Sequence, residues 1–280
     1  MIANHRHKPY ARTVGSKTEM NHVKRNLTNY IPELTKFIGD EKFPWDEIEN
    51  KYNSRNENLF NNKHVDSILL EASIFDQIIS LKKGNSAFEG MVDYYNKLFY
   101  QLNLLLNLEE KILVFKIIKN LLISFDSKYL NYLGELSVLY RLKNTGNFTI
   151  IEIEKTLPNG KSIDFDLMIL NPKMRVLLEV TNIHLNPKKV EQDKKKIGVF
   201  IDGRLNRKMK DKKKNLIEEW NIHLIPVIWG EFKHIEIYHK YYKANSTDVP
   251  LSYEPLAFLT LFDKKGNYFP KFGSVKTLFE

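Results

Sequence analysis

The sequence predicts a mixed α/β (α+β) fold, a central sheet flanked by helices and preceded by a helical N-terminal region. Three observations predict it. Apolar residues recur at helical spacing from about residue 44 to 126, three strand-like runs separated by turn residues follow between Ile150 and Ile183, and a helix and a short apolar strand come after them. The order helix, strand, strand, strand, helix, strand is that of a mixed sheet covered by helices. On this reading the chain divides into a basic flexible arm over 1–28, a helical region over 29–126, an α/β core over 127–230 and an aromatic, lysine-rich extension packed on the core over 231–280.

Residues 1–28 are polar and basic without periodicity, which predicts an arm. Phe43-Pro44-Trp45-Asp46 suits a helix start. Val65, Leu69, Ile74, Ile78 and Leu81 mark an amphipathic segment that stops at Lys82-Lys83-Gly84-Asn85. Phe88 to Leu106 and Glu109 to Phe125 read as two further helices, so the segment reads as a helical bundle or lid. Ser127 to Lys143 predicts one more helix, with Asn144-Thr145-Gly146 to end it. Strands follow at Ile150–Lys155, Ser162–Leu170 and Arg175–Ile183, separated by the turn signals Pro158-Asn159-Gly160 and Asn171-Pro172-Lys173. A helix is predicted over Arg204–Trp220 and a buried strand over Ile222–Trp229. The last fifty residues carry only the weak alternation Ile235-Glu236-Ile237-Tyr238.

Composition removes whole classes of function. No cysteine is present, which excludes disulfide scaffolds, thiolate zinc sites, iron–sulfur clusters and cysteine nucleophiles. No apolar run approaches the roughly 18 residues of a membrane span, and the basic start lacks the apolar stretch of a secretory signal, so a cytoplasmic protein without a membrane partner is expected. P-loop, dinucleotide-binding, HExxH and GxSxG patterns are missing, and His184 and His223 read as surface or packing residues. A formal charge of +9 makes a polyanion the expected partner.

Chemistry concentrates on the strand pair. In Ser162–Leu170, Ile163, Phe165, Leu167 and Ile169 face one way while Asp164 and Asp166 face the other. A turn over 171–174 would set Asp166 opposite Glu179 and Asp164 opposite Thr181. Opposed side chains lie roughly 5 Å apart at Cβ, and like charges there conflict unless a hard divalent cation takes their oxygens. A solvated polar sheet face would account for Asp164 and Asp166, but less well for Glu179, which sits inside the apolar run Val176-Leu177-Leu178-Glu179-Val180. Glu135 lies on a helix that is apolar nearly all round and equally wants a cation or a donor.

Twelve basic residues against four acidic ones between Lys188 and Lys214 place nearly all of the net charge beside this hairpin. Arg204, Lys208, Lys212 and Asn215 recur as one helical stripe, next to an apolar stripe of Leu205, Met209 and Leu216. Arg204, Arg207, Lys208, Lys212 and Asn215 are thus candidate nucleic-acid contacts, since lysines and arginines hold phosphates by displacing counterions. Most charge runs are solvated faces, but a cationic helix beside carboxylates is also what phosphodiester chemistry needs.

Taken together, Leu133-Gly134-Glu135-Leu136, then Gly160-Lys161-Ser162-Ile163-Asp164-Phe165-Asp166, then Leu177-Leu178-Glu179-Val180-Thr181, followed by a basic helix and a buried strand, resemble the PD-(D/E)XK nuclease superfamily over about residues 127–230. The resemblance implies a Mg2+-dependent endonuclease hydrolysing DNA, with Mn2+ as substitute metal, RNA as the alternative nucleic acid, a restriction, defence or mobile-element setting and an expected homodimer. It makes Asp164 and Glu179 catalytic metal ligands, joined at the metal by the Val180 carbonyl, Glu135 and Asp166. Ile163 stands where a proline is usual, and Thr181 where the lysine is expected. A lysine from the following helix would replace it, Lys212 in first place and Lys208 in second. If neither reaches the site, the alternative is a catalytically inactive nucleic-acid-binding module of the same fold.

Overall fold

The computed structural model describes residues 21–61, 73–146, 148–185, 194–216, 220–244, 255–262 and 268–279. Among these run ten α-helices and one six-stranded mixed sheet, the predicted class of fold. The helical region holds α1 (His22–Tyr30), α2 (Pro32–Ile38), α3 (Trp45–Asn61), α4 (Ile74–Lys82), α5 (Glu89–Leu105) and α6 (Leu108–Ile123). Local chemistry sets several of these ends. Pro32 opens α2 where an N–H is dispensable, and the side chains of Ser73 and Asn107 accept from the Asp76 and Glu110 N–H groups at the starts of α4 and α6. The expected arm is shorter than 1–28, because α1 begins at His22; its remaining residues, like Val65 and Leu69, lie outside the described residues. Among the described residues no helix is long and apolar enough to cross a membrane.

After α7 (Tyr129–Thr145) the sheet assembles in chain order from β1 (Phe148–Thr156), β2 (Ser162–Leu170), β3 (Lys173–His184), β4 (Ile222–Glu231), β5 (Leu256–Phe262) and β6 (Tyr268–Ser274). The first three strands form an antiparallel meander, β3–β4 and β4–β5 are parallel, and β5–β6 is antiparallel. The parallel steps use α8 (Lys194–Lys213) and α9 (Phe232–Ala244) as crossovers, and α10 (Val275–Phe279) closes the chain. One apolar core joins the helical region to a sheet face, uniting Leu27, Phe99 and Ile118 with Phe165, Leu178, Val180 and Phe258. The other face is covered by α8 and α9 over Ile183, Leu224, Ile228 and Leu259. The helices before residue 126 are therefore continuous with the sheet, not a lid standing apart from it.

Three features depart from the sequence reading. The β2–β3 turn is only Asn171-Pro172, since Leu170 pairs with Lys173, and the ladder sets Asp166 opposite Leu177, not Glu179. This shift is even, so the faces survive while the opposed pairs change. Second, α8 starts ten residues before Arg204 and stops at Lys213, not Trp220. Ile197, Ile201 and Leu205 form a buried stripe through the lysine-rich start, and the chain leaves the helix at Asn215, whose φ is +60°. Third, the Ile235–Tyr238 alternation lies within α9, where Ile235 and Tyr238 are buried at helical spacing.

Candidate functional site

The hairpin that carries the carboxylates is tied to the end of α8. Gly160, at φ +77°, allows the β1–β2 turn to close, and Asn159 Nδ2 donates to the Lys212 and Lys214 carbonyls at 2.9 and 2.7 Å. Lys161 adds an ion pair to Asp211 at 2.8 Å. These contacts hold the C-terminal half of α8 over the start of β2.

On the opposite side, α7 meets β3 at close range because residue 134 is glycine. A Cβ there would lie 2.2 Å from Asn182 Oδ1. Asn182 is itself fixed, accepting from Trp229 Nε1 at 2.8 Å and donating to the Asn131 carbonyl at 3.2 Å. That approach carries Glu135 to the mouth between α7, β2, β3 and α8, where a cavity of about 450 Å³ opens. Glu135, Asp164 and Glu179 line it together with Val180 and Thr181, and Arg204, Arg207 and Lys208 supply its cationic wall.

Glu179 is buried, and both of its oxygens are engaged by α8: Lys208 Nζ lies 2.6 Å from Oε1 and Lys212 Nζ 2.8 Å from Oε2. The two lysines differ in setting. Lys212 is buried, also donates to the Ser162 carbonyl and stands behind the carboxylate, whereas Lys208 is partly exposed and lines the cavity. Asp164 Oδ2 accepts from the Val180 N–H at 2.6 Å, one step beyond the last ladder pair, Phe165 with Leu178. The carboxylate thus ties the start of β2 to β3 immediately beside Glu179.

Burial comes first in the electrostatics of the site, and neighbouring carboxylates second. Burial, then the Asp164, Glu154 and Glu179 charges, push the Glu135 carboxyl well above the usual carboxylate range. Burial and the Glu179 charge push Asp164 up to about 8, against the opposing Val180 N–H and the two lysines. Burial alone would lower the Lys208 ammonium, but Glu179 and then Asp164 outweigh it and hold its pKa above the ordinary value.

Four of the expected residues fall elsewhere or take different roles. Asp166, expected as a metal ligand, is instead fully buried against Arg175, whose Nε donates to Oδ1 at 2.8 Å, and against Lys155 at 3.0 Å; it does not line the cavity. Asn215 leaves the stripe because α8 has ended, and it is exposed outside the cavity. Lys212, placed first, is the inner lysine, and Lys208 the cavity lysine. Two residues with no signal in the sequence contribute. Asn131 lines the cavity, and Glu154, at φ +52° on the edge strand, is held by Asn120 Nδ2 and Lys116 Nζ at 2.9 Å each while its charge acts on Glu135. A left-handed backbone at a glutamate in a strand cannot be read from residue pattern.

As they stand, no group of three or more histidine, aspartate or glutamate side chains among the described residues is arranged to hold a metal ion. The donor chemistry nevertheless suits a hard divalent cation, since three carboxylates meet at one cavity and two of them carry pKa values raised by burial and then by neighbouring carboxylates. Lys208 occupies the position on Glu179 that such an ion would contest. Compared with known proteins, the chain matches no family model, no curated protein and no solved structure.

Proposed function

We propose that this chain is a divalent-metal-dependent endonuclease hydrolysing DNA phosphodiester bonds, of the PD-(D/E)XK type with its lysine supplied from α8. One observation carries the reading: the helix after β3 brings two lysines onto Glu179, so the cation missing at Thr181 is present in space although absent from the motif. Glu135, Asp164, Glu179 and the Val180 carbonyl would hold Mg2+, or Mn2+ in its place. When bound, that ion lowers the pKa of water and neutralises charge on the leaving oxygen.

The chain's own residues divide the remaining work. Arg204 and Arg207 bind phosphate oxygens along the strand and position it across the cavity. Lys208, on the cavity side of Glu179, would offer its ammonium to the scissile phosphate, where charge develops in the transition state. Lys212 stays buried and orients Glu179. A second reading, a nucleic-acid-binding module without turnover, is favoured by the double occupation of Glu179 by lysine, which a weakly bound metal would not displace.

Plasmid DNA incubated with wild type and Glu179→Ala, with Mg2+ and with chelator, separates these readings. The nuclease predicts nicking or linearisation by the wild type alone, abolished by chelation. Cleavage that survives chelation or the substitution defeats the mechanism. Salt-sensitive retention of DNA without cleavage selects the binding module.

A further inference from the structure

The C-terminal ends of β3, β4 and β5 carry a column of rings. The cross-strand neighbours His184, Trp229 and Phe258 stack in turn, His184 on Trp229 at 5.6 Å and 18°, Trp229 on Phe258 at 3.9 Å and 5°. Trp229 and Phe258 are buried, whereas His184, the last ring, is exposed. The sheet does not continue the column: the last β2–β3 pair is Phe165 with Leu178, so among the described residues no strand stands beyond His184 at its level. The ring is nevertheless fixed, because its Nε2 is hydrogen-bonded to Asn131 Oδ1 at 3.2 Å. Asn131 lines the cavity one helical turn before Glu135, about 6 Å along α7, and Thr181, Asn182 and Ile183 line it from β3 just before His184. The end of the column therefore adjoins the cavity, within reach of a nucleotide next to one held at the acids. Partial burial pushes the His184 pKa down, so at neutral pH the ring is uncharged and adds nothing to the electrostatic hold on phosphates. A fixed ring with one face covered and the column ending on the other suits a nucleobase, whose flat face is available whatever its sequence once it is unpaired and unstacked.

We propose that His184 stacks an unpaired nucleobase of the strand whose phosphate lies in the cavity, so that the preferred substrate is DNA unpaired at that point, as in a single strand or a locally melted segment of supercoiled plasmid. This rests on the nucleic-acid reading above and specifies the class of DNA the site takes.

The test compares wild type, His184→Ala and His184→Phe in equilibrium binding of a single-stranded oligonucleotide and of the fully paired duplex of the same sequence, in Ca2+ at neutral pH. Wild type binds the single strand more tightly. His184→Ala loses about tenfold on the single strand and less than about twofold on the duplex, with the slope of log K against log salt unchanged, while His184→Phe stays within about twofold of wild type on both. Undiminished single-strand binding by His184→Ala overturns the proposal and leaves the nuclease reading intact. So does a wild type that prefers the duplex. Equal losses on the two DNAs assign the ring to packing of the fold and overturn it, and a loss in His184→Phe as large as in His184→Ala assigns the effect to the Asn131 hydrogen bond and overturns it too. A wild type that binds neither DNA removes the nucleic-acid reading and this proposal together.

Discussion

The β2–β3 hairpin presents two buried carboxylates, Asp166 and Glu179, each met by two cations, and their surroundings differ. Asp166 is bound by Arg175 and Lys155, and Lys155 also meets Glu152 at 3.0 Å. Two acids there face two bases, and although burial would raise it, the Asp166 carboxyl is held below the usual range by Arg175 and then Lys155. Around Glu179 both lysines pair with that one carboxylate, while Asp164 and Glu135, which share the cavity, make no salt bridge among the described residues and are pushed up, first by burial and then by neighbouring carboxylates. Ion pairing alone therefore marks nothing functional in this chain. What separates a site from a staple is a set of carboxyls half closed off from water at an opening without a salt bridge of their own, which costs stability when they ionise and which a ligand can relieve.

The largest effects come from exchanging the fates of the two aspartates. Asp166→Asn should lose about 2–3 kcal/mol of stability, somewhat less than a fully buried pair, because the Arg175 left behind is half exposed and rehydrates. Its cleavage rate, measured on folded protein, should stay near wild type. Asp164→Asn should do the reverse, losing on the order of 10²–10³ in cleavage while matching or exceeding wild-type stability at neutral pH. Urea melts and plasmid cleavage on both variants read the two columns of this comparison. An Asp164→Asn variant that is strongly destabilised yet cuts normally would invert the assignment.

The same contrast explains what was legible in the sequence. Asp164, Glu179 and Glu135 could be read because each sits in a segment of clear periodicity, where an acid among apolar neighbours is conspicuous. Lys208 and Lys212 followed from helical spacing, but Asn215 did not, since the stripe continues on paper past the point where the backbone turns left-handed. Asp166 shares its strand face with Asp164, and its different fate depends on a two-residue turn that sets it level with Leu177 and within reach of Arg175 and Lys155. Turn length is decided by the geometry of Asn171-Pro172, which alternation does not encode. Gly134 illustrates a third kind of information: its reason is Asn182, a residue far along the chain that sequence pattern does not pair with it.

Titration sharpens the comparison at intermediate cost. The Asp164 carboxyl, which holds its proton only to about pH 4 when unfolded, holds it to about 8 in the native state. Between those values the folded protein carries the extra proton, so stability is full in mild acid and falls as pH rises. The slope approaches about 1.4 kcal/mol per pH unit for one proton and belongs to the coupled cluster with Glu135 and Glu179. Asp166 has the opposite sign: its contribution is present at neutral pH and is lost only below about pH 4. Denaturation at about pH 5 and about pH 8 should therefore show wild type falling behind Asp164→Asn at the higher pH, while the deficit of Asp166→Asn stays constant. Millimolar Mg2+ should flatten the wild-type slope. A wild type that instead gains on Asp164→Asn with rising pH would show that burial and Glu179 do not raise the Asp164 carboxyl.

The smallest effect distinguishes an arginine of the cavity wall from the arginine bound to Asp166. Arg207 lines the cavity with no carboxylate contact among the described residues, whereas Arg175 is committed to Asp166. If Arg207 neutralises a phosphate, Arg207→Ala lowers duplex affinity and reduces the slope of log K against log salt by about 1, equally for every sequence tested. Arg175→Ala removes as much formal charge from the molecule, yet it should leave that slope unchanged and appear in the melting temperature. Equal slopes for both variants would mean that DNA senses only the chain's net charge of +9, and the cationic wall of the cavity would then have no special claim on the backbone. A slope that changes for Arg207 alone places the polyanion at the opening where the three acids meet.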